Sequence, residues 1–167
     1  LRVHARDLDR SVWALRQYER ENTLTHPPPR AERLPYRSSL GAPMIMGLLL
    51  VIFARTGPMN SAFSEHWMRV GAADSLRILH GEWFRAVTAL TLHADMMHVI
   101  GNVVAGSLFL GFLARRLGLG LATCLTLLGG VLGNLANAAL HAGVFHRPHL
   151  SIGASTAVFA TVGLLVT

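Results

Sequence analysis

Four stretches of the chain contain no Asp, Glu, Lys or Arg: Ser38 to Ala54, Met96 to Ala114, Leu117 to His146, and Pro148 to the chain end. A helix crossing a hydrocarbon core of roughly 30 Å takes about 17 to 25 residues, and each stretch reaches or approaches that length. The pattern predicts four transmembrane helices, the last of them incomplete. The connection from Arg55 to Asp95 is long, and it mixes Phe63, Trp67, Trp83 and Phe84 with Leu76, Ile78, Leu79 and Leu90. Such a blend is expected of a segment lying in the membrane interface, and a connection of this length is usually functional. The predicted fold class is all-α: a polytopic transmembrane helical bundle with a long interfacial first loop.

Ahead of the first apolar run, residues 1–39 read as a separate segment, leaving 40–167 as the membrane core. Leu8, Val12 and Leu15 recur at helical spacing among Asp7, Asp9, Arg10, Arg16 and Glu19, which predicts a short amphipathic helix. Pro27-Pro28-Pro29 then forms a stiff linker. This segment is read as a solvated tail, with a regulatory module as the alternative. The chain opens at Leu1 without Met and stops at Thr167 inside an apolar run, so it reads as a fragment at both ends.

Composition agrees with a membrane protein, at 51% hydrophobic and 14% charged residues with a mean hydropathy of +0.41. All fifteen basic residues are Arg, and eight precede the first apolar run. An arginine excess beside a first span places it on the cytoplasmic side. Arg115 and Arg116, between the second and third runs, fall on the same side if the second helix runs inward. Ser155 then sits near the outer end of the fourth helix. Topology and anionic headgroups account for the net charge of +6, so no nucleic-acid partner is implied. Arginine without lysine points to a GC-rich bacterial genome, and with it to a bacterial inner membrane.

Small residues mark close helix approaches: Gly101 with Ala105, Gly129 with Gly133, and Ala157 with Thr161. The single cysteine, Cys124, is expected to pack as a small hydrophobe. Polar groups within a span are functional candidates by default. Asn134, Asn137 and His141 form a stripe on the third helix, expected to satisfy partners across helices. His98 and Asn102 share a face at the head of the second helix, at the outer depth of Ser155. A serine nucleophile needs donors aimed at its oxyanion, each worth typically about 3 kcal/mol. His98, Asn102 and the Ser155 N–H, free at a helix N-terminus, supply them. A metal site is the competing use of His93, His98, His141, His146 and His149. Their spacing lacks the His-Glu-x-x-His order of zinc hydrolases, and neither a metal nor another cofactor is expected.

In order along the chain, Gly81-Glu82-Trp83-Phe84-Arg85, His93 with His98 and Asn102, Gly133-Asn134, and Gly153-Ala154-Ser155 resemble the rhomboid intramembrane serine proteases. The resemblance runs from about Leu40 to Thr167. It implies Ser155 as nucleophile in a Gly-x-Ser motif, with His98 and Asn102 stabilising the oxyanion. It also implies structural roles for His93, for Phe84-Arg85 in the place of the family's Trp-Arg pair, for Gly133-Asn134 and for Gly153. The implied substrate is a transmembrane protein cut near the outer face of the lipid bilayer. Three positions depart from the family: Ala114 stands where a Glu is common, and Thr156 and Ala160 stand where Gly is common. The family's general base is a histidine of the sixth core helix, so the residues given are expected to be inactive alone. Two alternatives stay open at this point: an inactive rhomboid-like protein that binds membrane clients, and a transporter or channel using the Asn134, Asn137 and His141 stripe.

Overall fold

A computed structural model describes residues 4–22, 40–59, 61 and 63–166. The chain divides into two compact units, Leu1–Tyr36 and Arg37–Thr167. In the first, a turn of 3-10 helix at Ala5–Asp7 leads into α1 (Leu8–Asn22), which buries none of its residues. Leu8, Val12 and Leu15 all remain exposed. The Pro27-Pro28-Pro29 linker lies outside the described residues.

The second unit is a helical bundle. Its apolar helices are α2 (Gly41–Thr56), α6 (Met96–Leu117), α7 (Leu119–Ala138) and α8 (Ser155–Val166). A π-helical turn, Ala139–Val144, extends α7. By length and composition α6 and the extended α7 are each able to cross a membrane, while α2 and α8 are shorter. In the bundle α6 packs against α2, α7 and α8, and α7 packs against α8. Met46, Leu110, Leu113, Ala122 and Val158 fill the centre.

The basic pair does not separate α6 from α7, as the apolar runs suggest. Arg115 and Arg116 lie in the last turn of α6, where cations suit the helix dipole. The chain then reverses at a single residue, Gly118, whose φ of +81° is cheap only for glycine. Arg116 Nη1 donates to the Leu165 carbonyl at 3.0 Å, covering an acceptor at the far end of α8.

Small residues set the helix spacing, though not all those the pattern singles out. A Cβ on Gly130 would lie 3.0 Å from the Ala157 Cα, on Gly129 2.6 Å from the Ala160 Cβ, and on Gly133 2.4 Å from the Thr156 Cγ2. The backbones of α7 and α8 therefore approach closely along this row. Thr156 and Ala160 fit because glycines face them. Gly101 is a correction: it is exposed, with nothing within 4 Å of a Cβ there. The buried row of α6 is Val99, Asn102, Gly106, Leu110 and Leu113, and the close approach falls at Gly106 against Met46. Cys124 is a second correction, being exposed. The buried row of α7 runs Ala122, Thr126, Gly130, Asn134, Ala138, and a residue two positions along turns to the opposite side. Between α7 and α8 the Thr126 and Thr161 hydroxyls are bonded at 2.8 Å, in the core.

The first loop is structured. It holds α3 (Ser64–Gly71), α4 (Ser75–Leu79), α5 (Arg85–Thr88) and a 3-10 turn at Ala89–Thr91. Asp74 caps α4, its Oδ1 accepting from the Leu76 and Arg77 N–H groups. A two-residue strand β1 (Ala73–Asp74) pairs antiparallel with β2 (Leu150–Ser151), in the register Ala73 to Ser151 and Asp74 to Leu150. This small ladder has no counterpart in the apolar pattern, which is all-helical. Ser75 and His149 extend it, since each N–H of the pair donates to the other residue at 2.9 Å.

Gly130→Ala is expected to lower the thermal midpoint of the detergent-solubilised protein, at the cost of about 1–3 kcal/mol typical of overpacking. Gly47→Ala, where a Cβ meets nothing within 4 Å, is the control that should leave it unchanged or raised.

Candidate active site

Ser155 is the first residue of α8 and is half-buried. The chain reaches it through Gly153, whose φ of +109° disfavours any side chain. Space forbids one as well. A Cβ on Gly153 would lie 2.7 Å from both Cε1 and Nε2 of His98 and 3.7 Å from Nδ2 of Asn102. The structure therefore brings His98, Asn102 and Gly153 together, two residues ahead of Ser155.

Asp95 begins the helix that carries the imidazole and amide. Its Oδ1 accepts from the His98 N–H at 2.8 Å and caps α6. His98 and Asn102 then project from one face, four residues apart. Asn102 Nδ2 donates to the His98 carbonyl at 3.1 Å, which fixes its amide orientation. The Ala94 N–H points at His98 Nδ1 at 3.5 Å. With Nδ1 as acceptor, the proton of a neutral ring sits on Nε2, the nitrogen beside Gly153.

His93 has the reverse arrangement of roles. Its Nδ1 donates to the Thr91 carbonyl at 3.3 Å, and its Nε2 accepts from the Ala154 N–H at 3.4 Å. The ring is fully buried, edge-on to His98 with centroids 5.1 Å apart. Burial foremost, and the neighbouring His98 charge next, push its pKa down to about 4. The neutral form is also the one the hydrogen bonds require, because an imidazolium has no acceptor for Ala154.

Two further ties hold the same segment. The Gly153 N–H donates to the Ala89 carbonyl at 2.8 Å. Asn134 Nδ2 donates to the Ala86 carbonyl at 2.9 Å, and Asn134 Oδ1 accepts from the Thr156 hydroxyl at 3.2 Å. The Ala86 and Ala89 carbonyls that receive these bonds are main-chain groups of the first loop, which no side-chain pattern marks. Thr156 read only as a bulkier stand-in for glycine; its place beside Ser155 and the matching depth of Asn134 are the signal for its bond.

Arg85 is buried behind this segment at 3% exposure. Its Nη1 donates to the Arg69 and Ala72 carbonyls at 3.0 and 3.2 Å, and its Nε pairs with Glu82. Phe84 lies on the exposed side, with the Arg85 guanidinium 5.5 Å from its ring centroid. The Asn134, Asn137 and His141 stripe does not act as a unit. Asn134 serves the loop, Asn137 is half-buried, and His141 stacks on His149 at 4.0 Å. Among the described residues no group of three or more His, Cys, Asp or Glu is placed to hold a metal.

An apolar helical bundle carrying a serine, an imidazole and an amide at one end is the class of protein these observations define. Residues 80–167 match the Rhomboid domain, more than half of the chain, and the chain belongs to the rhomboid family. It is 29% identical over 107 residues to Rhomboid protease GluP of Bacillus subtilis (strain 168), covering 64% of this chain and 20% of that protein. It is 30% identical over 115 residues to RHOMBOID-like protein 1 of Arabidopsis thaliana, covering 68% of this chain and 28% of that one. The chain thus spans less than a third of either relative's length. No solved structure matches it.

The lowered pKa of His93 makes stability pH-dependent with a definite sign. Between the folded value of about 4 and the ordinary value of 6.5, the unfolded chain takes a proton that the folded chain refuses. Stability is therefore full above that window and falls as the pH drops through it. Thermal unfolding across a pH series should show this slope, and His93→Gln should flatten it.

Proposed function

We propose that this chain is the front part of the catalytic core of an intramembrane serine endopeptidase that cleaves transmembrane proteins near the outer membrane face. The observation that carries the reading is the packing of the His98 ring and the Asn102 amide on Gly153, immediately before Ser155. In this arrangement Ser155 is the nucleophile that attacks the scissile carbonyl. His98 Nε2–H, Asn102 Nδ2–H and the Ser155 N–H, which lacks an intrahelical acceptor at the start of α8, receive the developing oxyanion. His93, Gly153, Asn134 and Arg85 with Phe84 hold these groups in place and do not touch the reacting atoms.

Serine needs a base to take its proton. His93 Nε2 is occupied by Ala154 and His98 is oriented as a donor, so neither fills that role. The base is a further histidine, which the family resemblance puts in a later core helix. No cofactor enters the mechanism. In the bilayer, α2, α6, α7 and α8 are the first four spans, residues 1–39 are cytoplasmic, and the first loop lies in the outer interface. The arginine distribution and the exposed Phe63, Trp67 and Trp83 support this orientation.

In full-length protein, a fluorophosphonate probe should label Ser155, and Ser155→Ala should abolish both labelling and cleavage of a membrane substrate. Equal cleavage by that variant sinks the assignment. Asn102→Ala should reduce kcat by about 10²–10³-fold, the loss expected for one oxyanion donor, with little change in KM.

A further inference from the structure

A cleft of about 360 Å³ opens on the first loop between α3, β1, α4 and β2, and Ser155 is not among the residues that line it. That volume lies within the ~300–1,000 Å³ range of small-molecule sites. Its charged lining comes from Glu65 and Arg69 of α3, Asp74 of β1, Arg77 of α4, and Arg85.

Arg85 is already spent on Glu82 and two carbonyls. The Arg69 guanidinium has no acceptor among the described residues. Arg77 approaches Asp74 only at 3.8 Å, beyond hydrogen-bond reach, with about half its side chain exposed. Asp74 spends Oδ1 on capping α4, while the Glu65 carboxylate has no partner among the described residues. With Arg85 paired to Glu82, the cleft thus sets two under-used guanidinium groups, Arg69 and Arg77, against two carboxylates, the unused Glu65 and the partly used Asp74, and these four charges balance. A purely anionic guest gains the arginines but faces Glu65 and Asp74. A zwitterion with phosphate and ammonium ends satisfies both signs.

The walls and rim point to a lipid as the bearer of that zwitterion. Met68 and Leu150 give the cleft an apolar side. On the helix that carries Glu65 and Arg69, Trp67 is exposed, and Phe63 just before it is 67% exposed. Trp83, on the same loop, is 70% exposed. Aromatic side chains of this kind settle at the headgroup level of a bilayer. With them inserted, the cleft sits where phosphate and amine groups are.

We propose that this cleft binds the phosphoethanolamine headgroup of a bilayer lipid, Arg69 and Arg77 taking the phosphate and Glu65 the ammonium. The proposal rests on the membrane orientation given above but not on the chemistry at Ser155.

The test uses full-length protein in detergent, incubated with equal amounts of phosphatidylethanolamine and phosphatidylglycerol, with retained lipid read by native mass spectrometry. Wild type should hold phosphatidylethanolamine preferentially. Arg69→Gln with Arg77→Gln should reduce that retention at least about tenfold, the effect of losing two charge-assisted contacts. Glu65→Gln should keep the lipid but remove the preference for ethanolamine over glycerol headgroups. Probe labelling of Ser155 serves as a separate check on each variant, so that a failure of the catalytic reading is seen apart from a failure of lipid binding. Should the double variant not fold, Glu65→Gln decides alone. The proposal is overturned by unchanged retention in the double variant, or by equal retention of both lipids in wild type. It is also overturned if inorganic phosphate alone displaces the lipid, or if lipid retention is unaffected while KM for a membrane substrate rises, which assigns the cleft to peptide.

Discussion

An irregular segment packed beside an apolar bundle must satisfy its own carbonyls, and here the buried Arg85 guanidinium meets that constraint for the first loop. It gathers the carbonyls of Arg69 and Ala72, at the end of α3 and before β1. Thr88, one turn on, adds a bond from its hydroxyl to the Gly71 carbonyl at 2.7 Å. A buried charge is expensive unless fully paired, and Glu82 with the two carbonyls supplies that pairing. Without this knot the carbonyls of Arg69 and Ala72 would lose their guanidinium donor in a poorly hydrated place. The loop would then cease to be a fixed platform.

The platform matters because the segment leading to Ser155 is tied mainly to it. Gly153 bonds to Ala89, Ala154 to His93, and Thr156 reaches Ala86 through Asn134. Three of the four residues from 153 to 156 are thereby fixed to the first loop or to a side chain that itself holds that loop. Ser155, the fourth, has no side-chain bond among the described residues. The arrangement leaves one hydroxyl uncommitted within an otherwise immobilised turn, as a proposed nucleophile requires. The small-residue row of α7 adds the second half of the constraint, since only glycine at 129, 130 and 133 lets α8 lie close enough for Asn134 to reach Thr156.

How much of this the sequence discloses follows from the range of each interaction. Helices and their polar pairs are local, so the apolar runs give α2, α6, α7 and α8, and the four-residue spacing puts His98 and Asn102 on one face. Long-range registry is not local. Cys124 and Gly101 lie on exposed faces: composition says only that a small residue is present, while the buried row is set by the partner helix. The β1–β2 ladder was invisible for a related reason. Two residues carry no periodicity, and their partners lie more than seventy positions apart. At Thr156 and Ala160 the chain departs from the family pattern by placing larger residues where Gly is common. The facing glycines are matched to them, a relation that only the paired helices reveal.

The two histidines closest to Ser155 show how backbone geometry assigns chemistry that residue type leaves open. Both are neutral-capable imidazoles five positions apart and in edge contact, yet their ring nitrogens are committed in opposite senses. The Nδ1–H of His93 donates to the Thr91 carbonyl, so its Nε2 must accept, and what it accepts is the N–H next to the proposed nucleophile. The Ala94 N–H instead points at Nδ1 of His98, so in the neutral ring Nε2 carries the proton, and that nitrogen lies beside Gly153. Exchanging these two local bonds would turn the structural imidazole into a donor aimed at Ala154 and the proposed oxyanion donor into an acceptor. The distinction between the proposed strut and the proposed transition-state donor thus rests on which main-chain group, Thr91 C=O or Ala94 N–H, meets the near nitrogen of each ring.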